Sequence, residues 1–320
     1  MDNFKRYFGA IPSPKDDRDY PLAMSAKVSG LATLPPKYEC IRQRVLNQGH
    51  IGSCVGHAFA SAVESAMYHD RGYAIPMSAG SIYQNRSAEH WQGEGMYPRN
   101  ACEILLKKGI VPEREFSYNE AYTKADKHPF KASPRFRIAR YISLYNLEEI
   151  KRFVYEADCY VPITIWVFSG DLHLNKDNSL HYNTAWGSRS DSSHEVCIIG
   201  YDDTYTNLDG SQGRLIAQNS WGTSWGDGGY FYIPYNVFYC FFVEAQGIEA
   251  DYEVYLEHEI GTKNARFCGE DLQLPVESYL AGAGYTMYPL RHLNETFGYE
   301  VEWDKAKPKL CKITAKIREE

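Results

Sequence analysis

The sequence predicts an α+β protein, with a helical first half, a second half of antiparallel strands, and a small α+β domain at the tail. Three observations carry this. An Ala-rich run at helical spacing begins at Cys54, short apolar runs parted by Gly, Asn and Asp fill residues 161–233, and the periodicity restarts around residues 246–251. A chain of 320 residues can bury a core that needs no metal or disulfide.

Along the chain, an irregular leader over residues 1–33 carries Pro12, Pro14 and Pro21 and is expected to lie over a body rather than form a domain. The first helix spans Cys54 to His69, because Ala58, Ala62, Val63, Ala66 and Met67 share one face and Gly72 lies just past its end. Small residues on that stripe let neighbouring elements come close, so the helix is expected in the middle of a domain. Further helices are expected over Arg99–Lys108, stopped by Gly109, and over Leu147–Glu156. Strands follow at Val161–Phe168, Glu195–Tyr201, Leu215–Gln218 and Tyr230–Ile233. After them, residues 252–320 give two strand-like segments, a helix near Arg291–Phe297, and closing strands at Tyr299–Trp303 and Leu310–Ile317.

Composition excludes several classes. Lys and Arg total 34 against 41 acidic residues, a net charge of −7 with no basic cluster, which speaks against nucleic acid as partner. No apolar run reaches the ~20 residues of a membrane span, and the start has no signal-peptide pattern, so a cytoplasmic setting or a non-classical release is expected. The eight cysteines form no Cys-x-x-Cys pair, which argues against zinc or a redox couple, and no cofactor is expected. Most sit in apolar runs such as Val196–Ile199 and Tyr239–Phe242 and read as inert core thiols. The 26 tyrosines suggest half-buried surfaces and carry no function by themselves.

Cys54 differs. Gly52-Ser53-Cys54 opens the Ala-rich helix, so the thiol lies at a helix amino terminus, where unpaired N–H groups and the helix dipole favour a thiolate. Gln48, six residues upstream, can bring its amide beside the Cys54 N–H and donate to an oxyanion. A base must come from elsewhere. His194 begins the strand His194–Tyr201, and Asn219, in Asn219-Ser220-Trp221-Gly222, can accept the imidazole N–H while Trp221 shields that bond from water.

These blocks, Gln48-Gly49-x-x-Gly52-Ser53-Cys54, His194–Tyr201 and Asn219-Ser220-Trp221-Gly222-x-x-Trp225-Gly226-x-x-Gly229-Tyr230, stand in the order found in papain-like cysteine peptidases, which the chain resembles over residues 34–246. The resemblance implies a two-lobed fold, a helical lobe with Cys54 and an antiparallel β-barrel lobe with His194 and Asn219, and a peptide or protein substrate lying extended between them. It also implies substrate contacts for Gly95, through backbone hydrogen bonds, and for Glu195, which would favour a basic side chain at the second residue before the cut. On exposure grounds alone, Glu195 reads as a solvated strand-edge carboxylate.

Departures from the pattern are informative. Ile51 stands where the family usually has a disulfide cysteine, which suits a reducing compartment, and Val55 replaces the usual Trp. An extra hairpin, Asp202–Gly213, turns at Asp209-Gly210, and Arg214 in place of a closing acid speaks against calcium. The residues before Leu34-Pro35-Pro36 are too few for the usual inhibitory prodomain, so control comes from elsewhere or the leader itself covers the cleft. The tail, with Met287–Arg291 and Phe297–Asp304, is similar to the copper amine oxidase N-terminal-like domain. That similarity implies no copper, and it suggests a spacer or a module binding another protein or a surface polymer. His258 and His292 read as surface residues.

The leading expectation is thiol-dependent peptide hydrolysis through an acyl-enzyme on Cys54. Two rivals use the same scaffold: acyl transfer to an amine, and a catalytically silent binding protein.

Overall fold

The computed structural model describes residues 8–16, 19–90, 94–119, 136–186 and 192–251, and the backbone of seven tail strands. The chain divides into two compact units, with the change at Ala250 to Asp251.

In the first unit, helix α1 (Cys54–Arg71) ends where Gly72 turns left-handed at φ 72° and returns its N–H to the Tyr68 carbonyl. Its stripe Ala58, Phe59, Ala62, Val63, Ala66 and Met67 is buried. Gly56 lets helix α2 (Ala79–Gln84) pass closely, since a Cβ there would stand 2.8 Å from the Ala79 carbonyl oxygen. The buried Glu64 carboxylate takes Nε and Nη2 of Arg44 and the N–H of Met77, tying two loops to α1. Pro98 starts α3 (Pro98–Lys107), where its missing N–H costs nothing. Helix α4 (Leu147–Glu156) opens on a reciprocal cap: Asn146 accepts from the Glu149 N–H, and Glu149 accepts from the Tyr145 N–H.

Strands β1 (Lys37–Glu39), β2 (Arg137–Leu144), β3 (Val161–Val167), β4 (Ser192–Thr206), β5 (Gln212–Gln218), β6 (Tyr230–Pro234) and β7 (Phe242–Asp251) form one sheet of order β2-β7-β3-β4-β5-β6, with β1 also on β4. The ladders from β3 to β6 are antiparallel. The long β4 is central and buried from Ser193 to Asp202, so whatever it carries is held on both edges. Where β1 crosses it, Gly200 leaves room, since a Cβ would lie 2.5 Å from the Tyr38 carbonyl oxygen.

The unit combines helices and an antiparallel sheet as an α+β fold. Strands β2 and β7 escape a sequence reading because their polar residues interrupt the alternation, as in Arg137-Ile138-Ala139-Arg140. Helix α5 (Tyr235–Phe241) corrects a second expectation: Cys240 is half-buried and Tyr239 is 64% exposed, since a helix turns part of the apolar run outward where a strand would bury it. Cys40, Cys102, Cys159 and Cys197 are buried.

The second unit holds β8 (Tyr255–Glu259), β9 (Asn264–Phe267), β10 (Glu270–Gln273), β11 (Tyr279–Ala281), β12 (Tyr285–Met287), β13 (Glu300–Trp303) and β14 (Leu310–Thr314). Five form a sheet of order β10-β9-β8-β14-β13, and β11 pairs with β12. Five strands therefore precede the closing pair where the sequence suggests two segments, because strands of three to five residues are too short to show alternation. The expected helix near Arg291–Phe297 lies outside the described residues, as do the side chains of His258 and His292.

Candidate active site

Cys54 is the first residue of α1, and Ser53 before it makes no side-chain cap. The helix's leading N–H groups are thus not taken by a Ser53 cap. The backbone of Glu195 on β4, of Gly9 in the leader and of Val55 acts on the Cys54 thiol to lower its pKa. Glu195, next to His194 on β4, therefore lies near the nucleophile.

His194 is wholly buried near the start of β4, and its Nε2 lies 2.8 Å from Asn219 Oδ1. An amide oxygen only accepts, and this one also takes the Ser220 N–H at 2.8 Å. The imidazole therefore carries its proton on Nε2, and Nδ1 is the nitrogen that would take a thiol proton. Asn219 follows β5, whose pairing with β4 places Gln218 opposite Cys197 and brings the two site residues side by side. Trp221 stacks on the imidazole at 4.8 Å and 28° and is braced by the edge of Trp225 at 5.0 Å.

Gln48 is buried beside them. Its Nε2 donates to the Ile51 carbonyl at 2.9 Å, and its Oε1 accepts from Ser220 Oγ at 2.6 Å. The backbone N–H of Gln48 also reaches the Ser220 carbonyl, at 2.9 Å. The amide is thus oriented from the side of the site that holds Asn219.

Comparison with known proteins assigns the family. The profile described as papain family cysteine protease matches residues 36–250. This chain belongs to the papain family. A second profile, the copper amine oxidase N-terminal domain, matches residues 245–311. Among curated relatives, a cysteine protease of Blomia tropicalis is 26% identical over 197 residues, covering 59% of this chain and 57% of its own length. The match thus spans little more than half of that relative. Among solved structures, xylellain, a cysteine protease from Xylella fastidiosa, aligns with a TM-score of 0.65 and 23% identity over 78% of this chain and 98% of its own. The cysteine protease and lectin-like domains of Cwp84 from Clostridium difficile align with a TM-score of 0.60 and 16% identity, over 82% and 64%. These two likenesses concern the fold.

In this papain-family site the cleft holds the chain's own leader. Ala10 bridges Met96 on one side and Ser193 on the other. The Met96 N–H donates to the Gly9 carbonyl at 2.9 Å, the Ile11 N–H donates to the Met96 carbonyl at 3.1 Å, and Ser193 Oγ donates to the Ala10 carbonyl at 2.5 Å. Gly9 packs where no side chain fits, since a Cβ would fall 1.8 Å from the Gly52 carbonyl oxygen. Downstream, the Ser13 N–H reaches Glu244 Oε1 at 2.6 Å, and Arg99 pairs with Asp19 at 2.5 Å. With the leader in place burial pushes the Cys54 thiol up to about 12, outweighing the nearby backbone that lowers it, so the sulfur is neutral in this state.

For Gly95 and Glu195 the structure gives the following surroundings. Gly95 does not donate to the extended chain: its N–H goes to the Tyr83 hydroxyl at 3.3 Å, and Met96 makes the ladder. Gly95, at φ 99°, supplies clearance, because a Cβ there would stand 2.5 Å from the Gly9 carbonyl oxygen. Glu195 is not solvated. It is fully buried, since β4 is a central strand, and it accepts from Thr164 Oγ1 at 2.5 Å. Register places Thr164 between Glu195 and Glu244, a row on one face of three strands, and burial raises the pKa of both acids. Sequence reasoning passes over Gly9, Met96 and Ser220, which contribute mostly backbone or short polar groups and leave no periodic signal.

Proposed function

We propose that this chain is a thiol-dependent peptidase. Cys54 attacks a peptide carbonyl, His194 takes the thiol proton and passes it to the leaving amine, and Asn219 holds the imidazole. Water then releases the acyl group from the sulfur. Gln48 and the Cys54 N–H are the donors for the oxyanion.

The observation that carries the reading is the extended segment Gly9–Ile11, hydrogen-bonded between Met96 and Ser193 and packed on Gly52, two residues before Cys54. A cleft that seats one extended peptide is built for others. Gly9 packs against Gly52 beside the wholly buried Cys54, so in this pose the leader occupies the cleft as a cover. Substrate would displace it. Nothing in the site favours an amine acceptor over water, and the relatives named above are described as proteases. The tail, with its own five-stranded sheet, is read as a binding or spacer module for another protein or a surface polymer.

Mass spectrometry of the full chain after treatment with a thiol-reactive peptide epoxide tests the assignment. A single adduct on Cys54, lost in Cys54→Ala and slowed in His194→Ala, is expected. Labelling spread evenly over Cys54 and the half-buried Cys240 would overturn it, and amine capture of the acyl group in preference to water would replace hydrolysis with transfer.

A further inference from the structure

The loop that carries the two oxyanion donors is held from outside the catalytic set. Gln48 and Cys54 lie at its two ends, and the stabilisation they give depends on the distance between the side-chain amide of one and the backbone N–H of the other. Donors misplaced by a fraction of an ångström lose much of their effect. One hydroxyl bridges the two ends. Tyr118 Oη donates to the Gln48 carbonyl at 2.7 Å and lies 2.8 Å from Ser53 Oγ, the residue preceding the nucleophile. A carbonyl only accepts, so the single phenolic proton goes to Gln48. Ser53 must then donate to Tyr118, giving the directed chain Ser53 Oγ–H to Tyr118 Oη–H to Gln48 O.

The strap is itself anchored. The Tyr118 N–H donates to Glu113 Oε1 at 2.9 Å. Its ring meets the buried imidazole of His57 edge-on at 4.5 Å and 84°, and His57 Nδ1 donates to the Ser53 carbonyl at 2.9 Å. Ser53 is thus held by its hydroxyl and its carbonyl, both from the side of α1 where Tyr118 and His57 pack.

We infer that Tyr118 is a positioning residue for the oxyanion site, fixing the separation of the Gln48 amide and the Cys54 N–H through its hydroxyl. The assignment rests on the peptidase reading above. It makes a demand that a purely structural tyrosine would not meet: the loss should fall on the step in which the oxyanion forms, and it should depend on Gln48.

The test is a double-mutant cycle in the full chain with Tyr118→Phe and Gln48→Ala. Tyr118→Phe keeps the ring on His57 and removes both hydroxyl bonds. In the parent it should lower kcat about tenfold with KM unchanged, less than the ~100-fold or more lost with a direct oxyanion donor. In the Gln48→Ala background the same change should cost less than about threefold, because one of the two donors it positions is already gone. Alkylation of Cys54 by iodoacetamide, which needs the thiolate and no oxyanion, should keep its rate and pH profile. Ser53→Ala, which cuts the chain at its other end, should reproduce the kcat loss and serves if Tyr118→Phe lowers the melting temperature. Equal losses in both backgrounds, a parallel fall in alkylation, or a change in KM alone would overturn the assignment. Turnover by the parent, measured first, tests the peptidase reading separately.

Discussion

Phe8 sets its ring edge-on against the His194 imidazole, centroids 5.6 Å apart at 82°, and meets Trp221 at 5.9 Å. The first described residue of the leader therefore covers the base, while the next, Gly9, packs on Gly52 beside the nucleophile. A substrate reaches this site only by displacing them.

Gly9→Ala should therefore raise activity. The added Cβ would lie 1.8 Å from the Gly52 carbonyl oxygen, so the variant leader cannot dock as the parent leader does. Its effect is on the population of the open cleft, where each ~1.4 kcal/mol of lost docking corresponds to a tenfold change. Initial rates on a short fluorogenic peptide should rise about tenfold or more at low substrate and converge with the parent at saturation. Unchanged rates would show that the leader does not control access.

Loss of the imidazole's partner should be milder than loss of the nucleophile. Cys54→Ala removes the attacking atom and should leave no measurable turnover. Asn219→Ala leaves His194 in place under Trp221 but without its acceptor at 2.8 Å. A fall of about 10- to 100-fold in kcat is expected, at or below the low end of the ~10²–10⁴-fold range of general acid–base contributions because the imidazole itself stays, and steady-state kinetics at fixed pH checks it.

Glu195 should make cleavage of basic substrates depend on pH. Burial raises the pKa of its carboxyl well above the ordinary range, so the acid is neutral until the pH climbs. The ratio of kcat/KM for two peptides differing only by Arg or Leu at the second residue before the cut should therefore rise with pH. Glu195→Gln should flatten that rise. A strong preference for Leu throughout would remove Glu195 from the specificity of this site.

Acid should destabilise the fold through His57. Its burial lowers the imidazole from an ordinary 6.5 to about 4. Between those values the unfolded chain binds the proton and the native chain does not. Stability is thus present in full above pH 6.5 and is lost as pH falls toward 4. The difference amounts to about 3 kcal/mol at most, at ~1.4 kcal/mol per pH unit. Melting temperatures should drop across this window, less steeply in His57→Asn.

Much of the site is legible in the sequence because its parts are local. Gly52-Ser53-Cys54 ahead of an Ala-rich run defines a helix start and a thiol on it, and α1 begins at Cys54. Asn219-Ser220-Trp221 after a short apolar run defines a strand end, and the strand ends at Gln218. Helix α4 spans Leu147–Glu156 because its caps and its stripe lie within its own residues. Glu195 was less legible, since only the neighbours of β4 decide whether a polar residue in a strand faces water. That the leader could cover the cleft was legible as one alternative, but which of its residues pack at the site was not.

By itself, then, the sequence determined the elements and the chemistry: a thiol at a helix amino terminus, a strand-borne imidazole, an amide to orient it, and a separate tail. Tertiary structure alone decided what surrounds them. It packed Gly9 on Gly52, paired the leader with Met96, buried Glu195 and strapped Gln48 to Ser53 through Tyr118. The physical reason is range: helix caps and strand alternation act over a few residues, whereas these contacts join segments tens to hundreds of residues apart and arise only when the chain packs.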